Sequence, residues 1–176
     1  MPSACGSACG SWNFESGPGS TEGWEVIQPP AMDVAMSING AQSVAISSTN
    51  PEDGSYSLAV EVDINSTDTF RASAGVEMCP GNATYLGGYH VRGSVYLDGS
   101  AMTTGTDLSL QGWGPPTDYP IDDYPILTDI VPVNQWIDFN VTLTDLIEID
   151  HIGIKIEAAG EWTGTMYLDN VRFSST

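Results

Sequence analysis

The chain has 176 residues, 41% of them hydrophobic, and a formal net charge of −19 from 23 acidic and 4 basic side chains. This length and apolar content suit one domain with a real core and exclude a disordered chain. The charge argues against nucleic acid or an anionic membrane as partner, because both need a basic footprint, and no apolar run is long enough to span a bilayer.

The 19 Gly and 11 Pro lie among runs rich in Val, Ile, Tyr and Thr, the profile of an all-β chain with many turns. Charged residues make up 15% of the chain and are scattered rather than gathered in a tail. Solubility accounts for most of the acids, and the balance fits a secreted protein or one that collects cations. No signal peptide heads the chain, so Met1 is expected to be an introduced start on a piece of something longer.

In chain order, residues 1–10 read as a linker remnant and residues 11–176 as one module. Cys5 and Cys9 fall in the small-residue stretch "SACGSACG", and Cys79 falls in "MCPG". No His neighbours them, so a zinc site is not expected. A disulfide is the better expectation, either Cys5 to Cys9 or one of these to Cys79, and either implies an oxidising compartment. Strands are predicted at 11–15, 43–48, 56–63, 70–78, 88–97, 107–113, 135–143, 151–157 and 165–173. No stretch carries a capped helical period, apart from a turn near 144–149. About nine short strands punctuated by turn residues indicate a β-sandwich or jelly roll.

Alternation assigns faces to these strands. In "FRASAGVEM", Phe70, Ala72, Ala74, Val76 and Met78 point inward and Arg71, Ser73 and Glu77 outward. In "YHVRGSVYL", Val91, Val95 and Leu97 point inward and His90, Arg92, Ser94 and Tyr96 outward. In "DLSLQGWG", Leu108 and Leu110 point inward and Ser109, Gln111 and Trp113 outward. In "HIGIKIEA", Ile152, Ile154 and Ile156 point inward and Lys155 and Glu157 outward. The outward rows would form a surface of planar rings and hydrogen-bonding groups if their strands share one sheet. Phase alone does not show that they do.

Other segments carry their own expectations. Residues 114–129, "GPPTDYPIDDYPILTD", read as a long loop whose "DYPIDDYP" is a local echo, either walling one end of a groove or packed by its own tyrosines. Trp24 and Trp136 are expected to pack structurally, and Trp12 to cap the first strand. In the last strand Tyr167, Val171 and Phe173 share the phase that a strand buries, and Asp169 falls on it too. A carboxylate is rarely buried without a partner, because leaving water is costly.

Much chemistry is absent. There is no G-x-S-x-G elbow, no H-E-x-x-H and no glycine-rich phosphate loop before a helix. The 23 acids leave paired carboxylates for glycoside hydrolysis open but make any chosen pair uninformative. Sequons stand at Asn65, Asn82 and Asn140.

Three segments in order, "NFESGPGSTEGW", "PEDGSYSLAV" and "GTMYLDNVRF", together resemble the calcium-bearing jelly-roll carbohydrate-binding modules of the xylan- and β-glucan-binding type. The resemblance covers roughly residues 11–173. It implies a β-sandwich jelly roll of two antiparallel sheets with one structural Ca²⁺ near the chain ends. Its ligands would be Glu15, Asp53 and Asp169, with the Tyr56 carbonyl as a further oxygen, a hard-oxygen set that suits Ca²⁺. The alternative is that Asp169 accepts backbone amides while Glu15 and Asp53 are surface acids.

The resemblance also implies sugar binding on strands 70–78, 107–113 and 151–157, with a neighbour on 88–97. A pyranose offers a C–H face to an aromatic ring and hydroxyls to planar polar groups. Trp113 is the first stacking candidate and Tyr96 the second. The polar candidates are Arg71, His90, Arg92, Gln111, Lys155 and Glu157. The expected protein is thus a secreted, monomeric, non-catalytic module that holds an appended catalytic domain against a polysaccharide, acidic or neutral. The alternatives are a small β-jelly-roll polysaccharide lyase, using Arg71, His90, Arg92, Tyr96 or Lys155, and a cell-surface adhesion or structural domain.

Overall fold

The computed structural model describes residues 10–27, 40–65, 71–77, 84–85, 89–102, 104–114, 119–144, 148–149 and 151–175. Cys5, Cys9 and Cys79, and with them the expected disulfide, lie outside these residues, as do Phe70, Met78 and Asn82. The described chain forms thirteen strands: β1 (Ser11–Trp12), β2 (Trp24–Val26), β3 (Ala41–Ser47), β4 (Ser57–Ile64), β5 (Arg71–Glu77), β6 (Thr84–Tyr85), β7 (Tyr89–Gly99), β8 (Asp107–Gly114), β9 (Tyr119–Leu127), β10 (Trp136–Thr142), β11 (Glu148–Ile149), β12 (His151–Glu157) and β13 (Trp162–Ser175).

Two antiparallel sheets make a sandwich. The six-stranded sheet runs β10-β7-β13-β4-β3, with β1 also paired to β13, and the five-stranded sheet runs β2-β5-β12-β8-β9. A separate ribbon joins β11 to β6. The reason lies in the alternation. In "SLAVEVDI", Leu58, Val60, Val62 and Ile64 are buried while Glu61 and Asp63 are exposed. Val95, Leu97, Met166 and Leu168 from the larger sheet meet Ala72, Ala74, Leu108, Leu110, Ile154 and Ile156 from the smaller in one core.

Trp12 and Trp24 meet edge to face at 6.0 Å, and Phe14 meets Trp24 at 6.1 Å. This is the packing expected of Trp24, and Trp12 joins it in the core. Trp162 is also core and donates Nε1–H to the Ser100 carbonyl at 2.9 Å. Trp136 differs. It is half-buried outside the core and packs on Tyr96, ring centroids 5.6 Å apart.

Three expectations need correction. First, β2, β6, β9 and β11 were not among the nine predicted strands. The stretch 119–127, read as loop, is an edge strand on β8. Its prolines hid it, because Pro cannot donate to a ladder and is confined to edges and bulges. Here the ladder pairs Pro120 with Trp113 and Pro125 with Ser109, and its register slips next to each pair, skipping Ile121 and Ile126. The repeated "YPI" therefore marks two bulges in one edge strand.

Second, the last strand changes phase. Met166 and Leu168 enter the core, so Tyr167 and Asp169 stand on the outer face. The register then shifts between Asp169 and Arg172, and Asn170 adopts φ 51°. After this bulge Val171 and Phe173 pack toward the core. Uniform alternation had placed Asp169 on their side.

Third, β7 belongs to the six-stranded sheet and β5, β8 and β12 to the other. The outward rows of the sequence therefore lie on opposite sides of the sandwich.

Candidate functional site

The outer face of the five-stranded sheet carries most of the expected sugar-contact residues. Across it, Ser73 pairs with Lys155 and Lys155 with Ser109, while Gly75 pairs with Gly153 and Gly153 with Gln111. Glu77, His151 and Trp113 form the next row, and Arg71, Glu157 and Asp107 the row at the other end. The centre is recessed: Ser73, Ser109, Gln111 and Lys155 are each at most 5% exposed, although they point away from the core. The floor is backbone at Gly153, whereas the Ile27 side chain lies over Gly75. A Cβ at Gly153 would come within 2.1 Å of the Ala74 carbonyl oxygen, so β5 and β12 approach too closely for any side chain there. Ile27 continues the β2 line, with its Cγ1 3.2 Å from where a Gly75 Cβ would sit.

One polar network spans this face. Asp123 of β9 accepts from Gln111 Nε2 at 2.6 Å through Oδ1, and from Lys155 Nζ in a short bond through Oδ2. Lys155 also donates to Glu157 Oε2 at 3.1 Å. The Lys155 charge is thus spent on two carboxylates. With Glu25, Glu77 and Asp107, the described residues of the face carry five acids against Arg71 and Lys155. His151 Nε2 lies 3.9 Å from Glu25 Oε1.

Trp113 is only 3% exposed, yet it stands outside the core cluster. At that exposure the ring does not offer an open stacking face. Ser109 Oγ is buried without a hydrogen-bond partner among the described residues.

His90, Arg92 and Tyr96 lie on the other sheet and are not brought to this face. His90 Nδ1 is 3.0 Å from Thr142 Oγ1, and Arg92 Nε donates to Asn140 Oδ1 at 3.3 Å. Tyr96 is packed between Trp136 and Tyr167. Sequence reasoning selected neither Asp123 nor Ser109. Ser109 was legible as outward-facing, but Asp123 was hidden by the prolines around it.

The expected metal residues do gather, at a corner where β13 leaves β4 for β1. Asp169 Oδ2 accepts the amides of Glu52 at 3.0 Å and Asp53 at 3.2 Å, and its Oδ1 accepts the Asn170 amide at 2.7 Å. Glu15 Oε1 accepts the amides of Ser55 at 2.8 Å and Tyr56 at 2.9 Å. Asp53 Oδ1 takes the Gly54 amide at 2.8 Å. Five successive amides of "EDGSY" thus end on three carboxylates. Gly54 adopts φ +70°, and a Cβ there would sit 2.4 Å from Glu15 Oε1. Burial pushes the Asp169 carboxyl above its usual range, against the amide bonds that lower it. Among the described residues no three His, Cys, Asp or Glu side chains form a metal-binding group. As arranged, the corner closes on these hydrogen bonds.

No protein-family model matches the chain, and no curated protein matches it. Solved structures do. The fold is that of the β-sandwich carbohydrate-binding modules. A module specific for non-crystalline cellulose is 18% identical with a TM-score of 0.61, covering 93% of each chain. The second xylan-binding module of Paenibacillus barcinonensis Xyn10C is 15% identical with a TM-score of 0.61, covering 94% of this chain and 98% of that one. The family 22 module at the C-terminal end of Clostridium thermocellum Xyn10B is 19% identical with a TM-score of 0.57, covering 94% and 91%. In a β-sandwich module structure of promiscuous specificity, at 15% identity and a TM-score of 0.62, this chain spans 61% of the length. At these identities the likeness is one of fold.

Proposed function

We propose that the chain is a non-catalytic carbohydrate-binding module that takes a neutral polysaccharide on the outer face of its five-stranded sheet. It would hold an appended, secreted carbohydrate-active enzyme against its substrate by raising local concentration. The observation that carries this reading is the polar row in which buried Ser109, Gln111 and Lys155 stand beside the exposed carboxylates of Asp123 and Glu157. Buried hydroxyl, amide and ammonium groups beside the Gly153 backbone fit the hydroxyls of a sugar chain. The fold shared with xylan- and cellulose-binding modules supports the same ligand class.

Charge selects neutral over acidic glycans. Lys155 is already neutralised, and the surrounding carboxylates would repel uronates. The same point weakens the lyase alternative, which needs free cations to neutralise a uronate, and His90, Arg92 and Tyr96 stand on the opposite face. Affinity electrophoresis tests the reading. The chain should be retarded in gels containing soluble xylan or hydroxyethylcellulose and not in polygalacturonate, and Gln111→Ala should weaken the retardation. Equal mobility of wild type and Gln111→Ala on every retarding glycan would move the site elsewhere.

Calcium at the Glu15–Asp169 corner belongs to this proposal. The gathering of Glu15, Asp53, Tyr56 and Asp169 supports it, and the amide-bound carboxylates count against it. Chelation decides: calcium binding requires that EDTA lower the melting temperature and that added Ca²⁺ restore it.

A further inference from the structure

The sheet order places β8 between β12 and β9. Lys155 on β12 and Asp123 on β9 nevertheless touch. Neighbouring strands lie about 4.8 Å apart, so these side chains reach toward each other over about 10 Å and meet above β8. The β8 residues beneath the bridge are Ser109, paired directly with Lys155, and Gln111, paired directly with Asp123. Ser109 is 5% exposed, and its Oγ is buried with no hydrogen-bond partner among the described residues. A buried hydroxyl without a partner is costly, and native chains rarely keep one without a use. The two acids that hold Lys155 differ from it in exposure: the Lys155 side chain is 7% exposed, whereas those of Asp123 and Glu157 are 44% and 52% exposed. The Asp123 end can therefore swing to water while Lys155 keeps Glu157.

We propose that the Lys155–Asp123 bridge is a strap over a hydroxyl-binding subsite whose floor is Ser109 Oγ. The inference rests on the neutral-polysaccharide reading of this face and names a specificity element within it. A sugar hydroxyl enters by displacing the Asp123 carboxylate from Lys155. It then bonds Ser109 Oγ below and Lys155 Nζ beside it, and Asp123 turns outward with Gln111 released to the ligand. An anionic substituent would meet Asp123 and Glu157 on the way in, so the subsite takes a neutral hydroxyl.

Binding then competes with an ion pair, which gives an unusual signature. Affinity for a neutral glycan should rise modestly with salt, because screening at the half-exposed Asp123 end weakens the bridge and leaves the uncharged ligand unaffected. Calorimetric titration of the wild-type chain with soluble xylan and with hydroxyethylcellulose, from about 0.02 to about 0.5 M NaCl, reads this directly without a variant. Asp123→Asn should bind about fivefold more tightly at low salt and lose the salt response, since the exposed end of the pair no longer holds Lys155. Ser109→Ala should weaken binding in both backgrounds by a similar factor. If the wild type binds but shows no salt response, and Asp123→Asn binds no more tightly, the strap is wrong while the parent reading stands. If neither the wild type nor Asp123→Asn binds either glycan, both fail.

Discussion

Replacing Asp169 by Ala removes the acceptor for three backbone N–H groups, those of Glu52, Asp53 and Asn170. Hydrogen bonds to a charged acceptor contribute about 1.5–3 kcal/mol each. Glu52 and Asp53 are exposed, so their amides can recover water, and the lower value suits them. Removing a buried carboxylate also relieves its desolvation, which offsets part of the loss. The net cost should be about 3 kcal/mol. For a chain of this size, about 2–4 °C are lost per kcal/mol, so the melting temperature should fall by about 6–12 °C. Scanning calorimetry in EDTA and again in Ca²⁺ measures it. The amide tie requires that the loss persist in EDTA. A variant melting within about 2 °C of wild type in EDTA would refute the claim that these amides hold the corner, and a loss seen only with Ca²⁺ would assign the residue to the metal.

Asp169 also gives a pH prediction, measured in EDTA. Its folded carboxyl titrates above the unfolded value of 3.8 because burial disfavours the charge. The folded state thus holds the proton more tightly, and the penalty present at neutral pH is relieved as pH falls through the raised value toward 3.8. Wild type should therefore gain stability relative to Asp169→Asn on acidification, and a relative loss would contradict the sign. Gly54→Ala should lower stability in urea denaturation by about 1–3 kcal/mol. Gly17→Ala, with a similar φ of +83° and nothing within 4 Å of the added carbon, should cost less, because only Gly54 adds the contact with Glu15. Arg92→Ala and Tyr96→Ala should bind neutral glycan as wild type does, because both residues lie on the six-stranded sheet, whereas Gln111→Ala should weaken binding about tenfold.

Much of the fold was legible because each strand's alternation is local. Leu58, Val60, Val62 and Ile64, or Ile152, Ile154 and Ile156, declare their face from the side-chain period of two. The corner was legible too, since "NFE", "PEDGSY" and "YLD" named residues that do meet. The partner of Asp169 is a set of amides, which the sequence left as the alternative.

What the sequence by itself determined is phase: which residues of one strand share a side, and hence a two-sided all-β chain with an acidic surface. Only the tertiary structure decided which strands share a sheet. Arg92 and Gln111 both read as outward, but strand pairing is set by contacts far apart in sequence, and it placed them on opposite faces. Phase fails wherever a bulge inserts a residue. One bulge put Asp169 on the other side of β13 from Val171 and Phe173. Two more let "YPIDDYP" run as an edge strand, which carried Asp123 across β8 to Lys155.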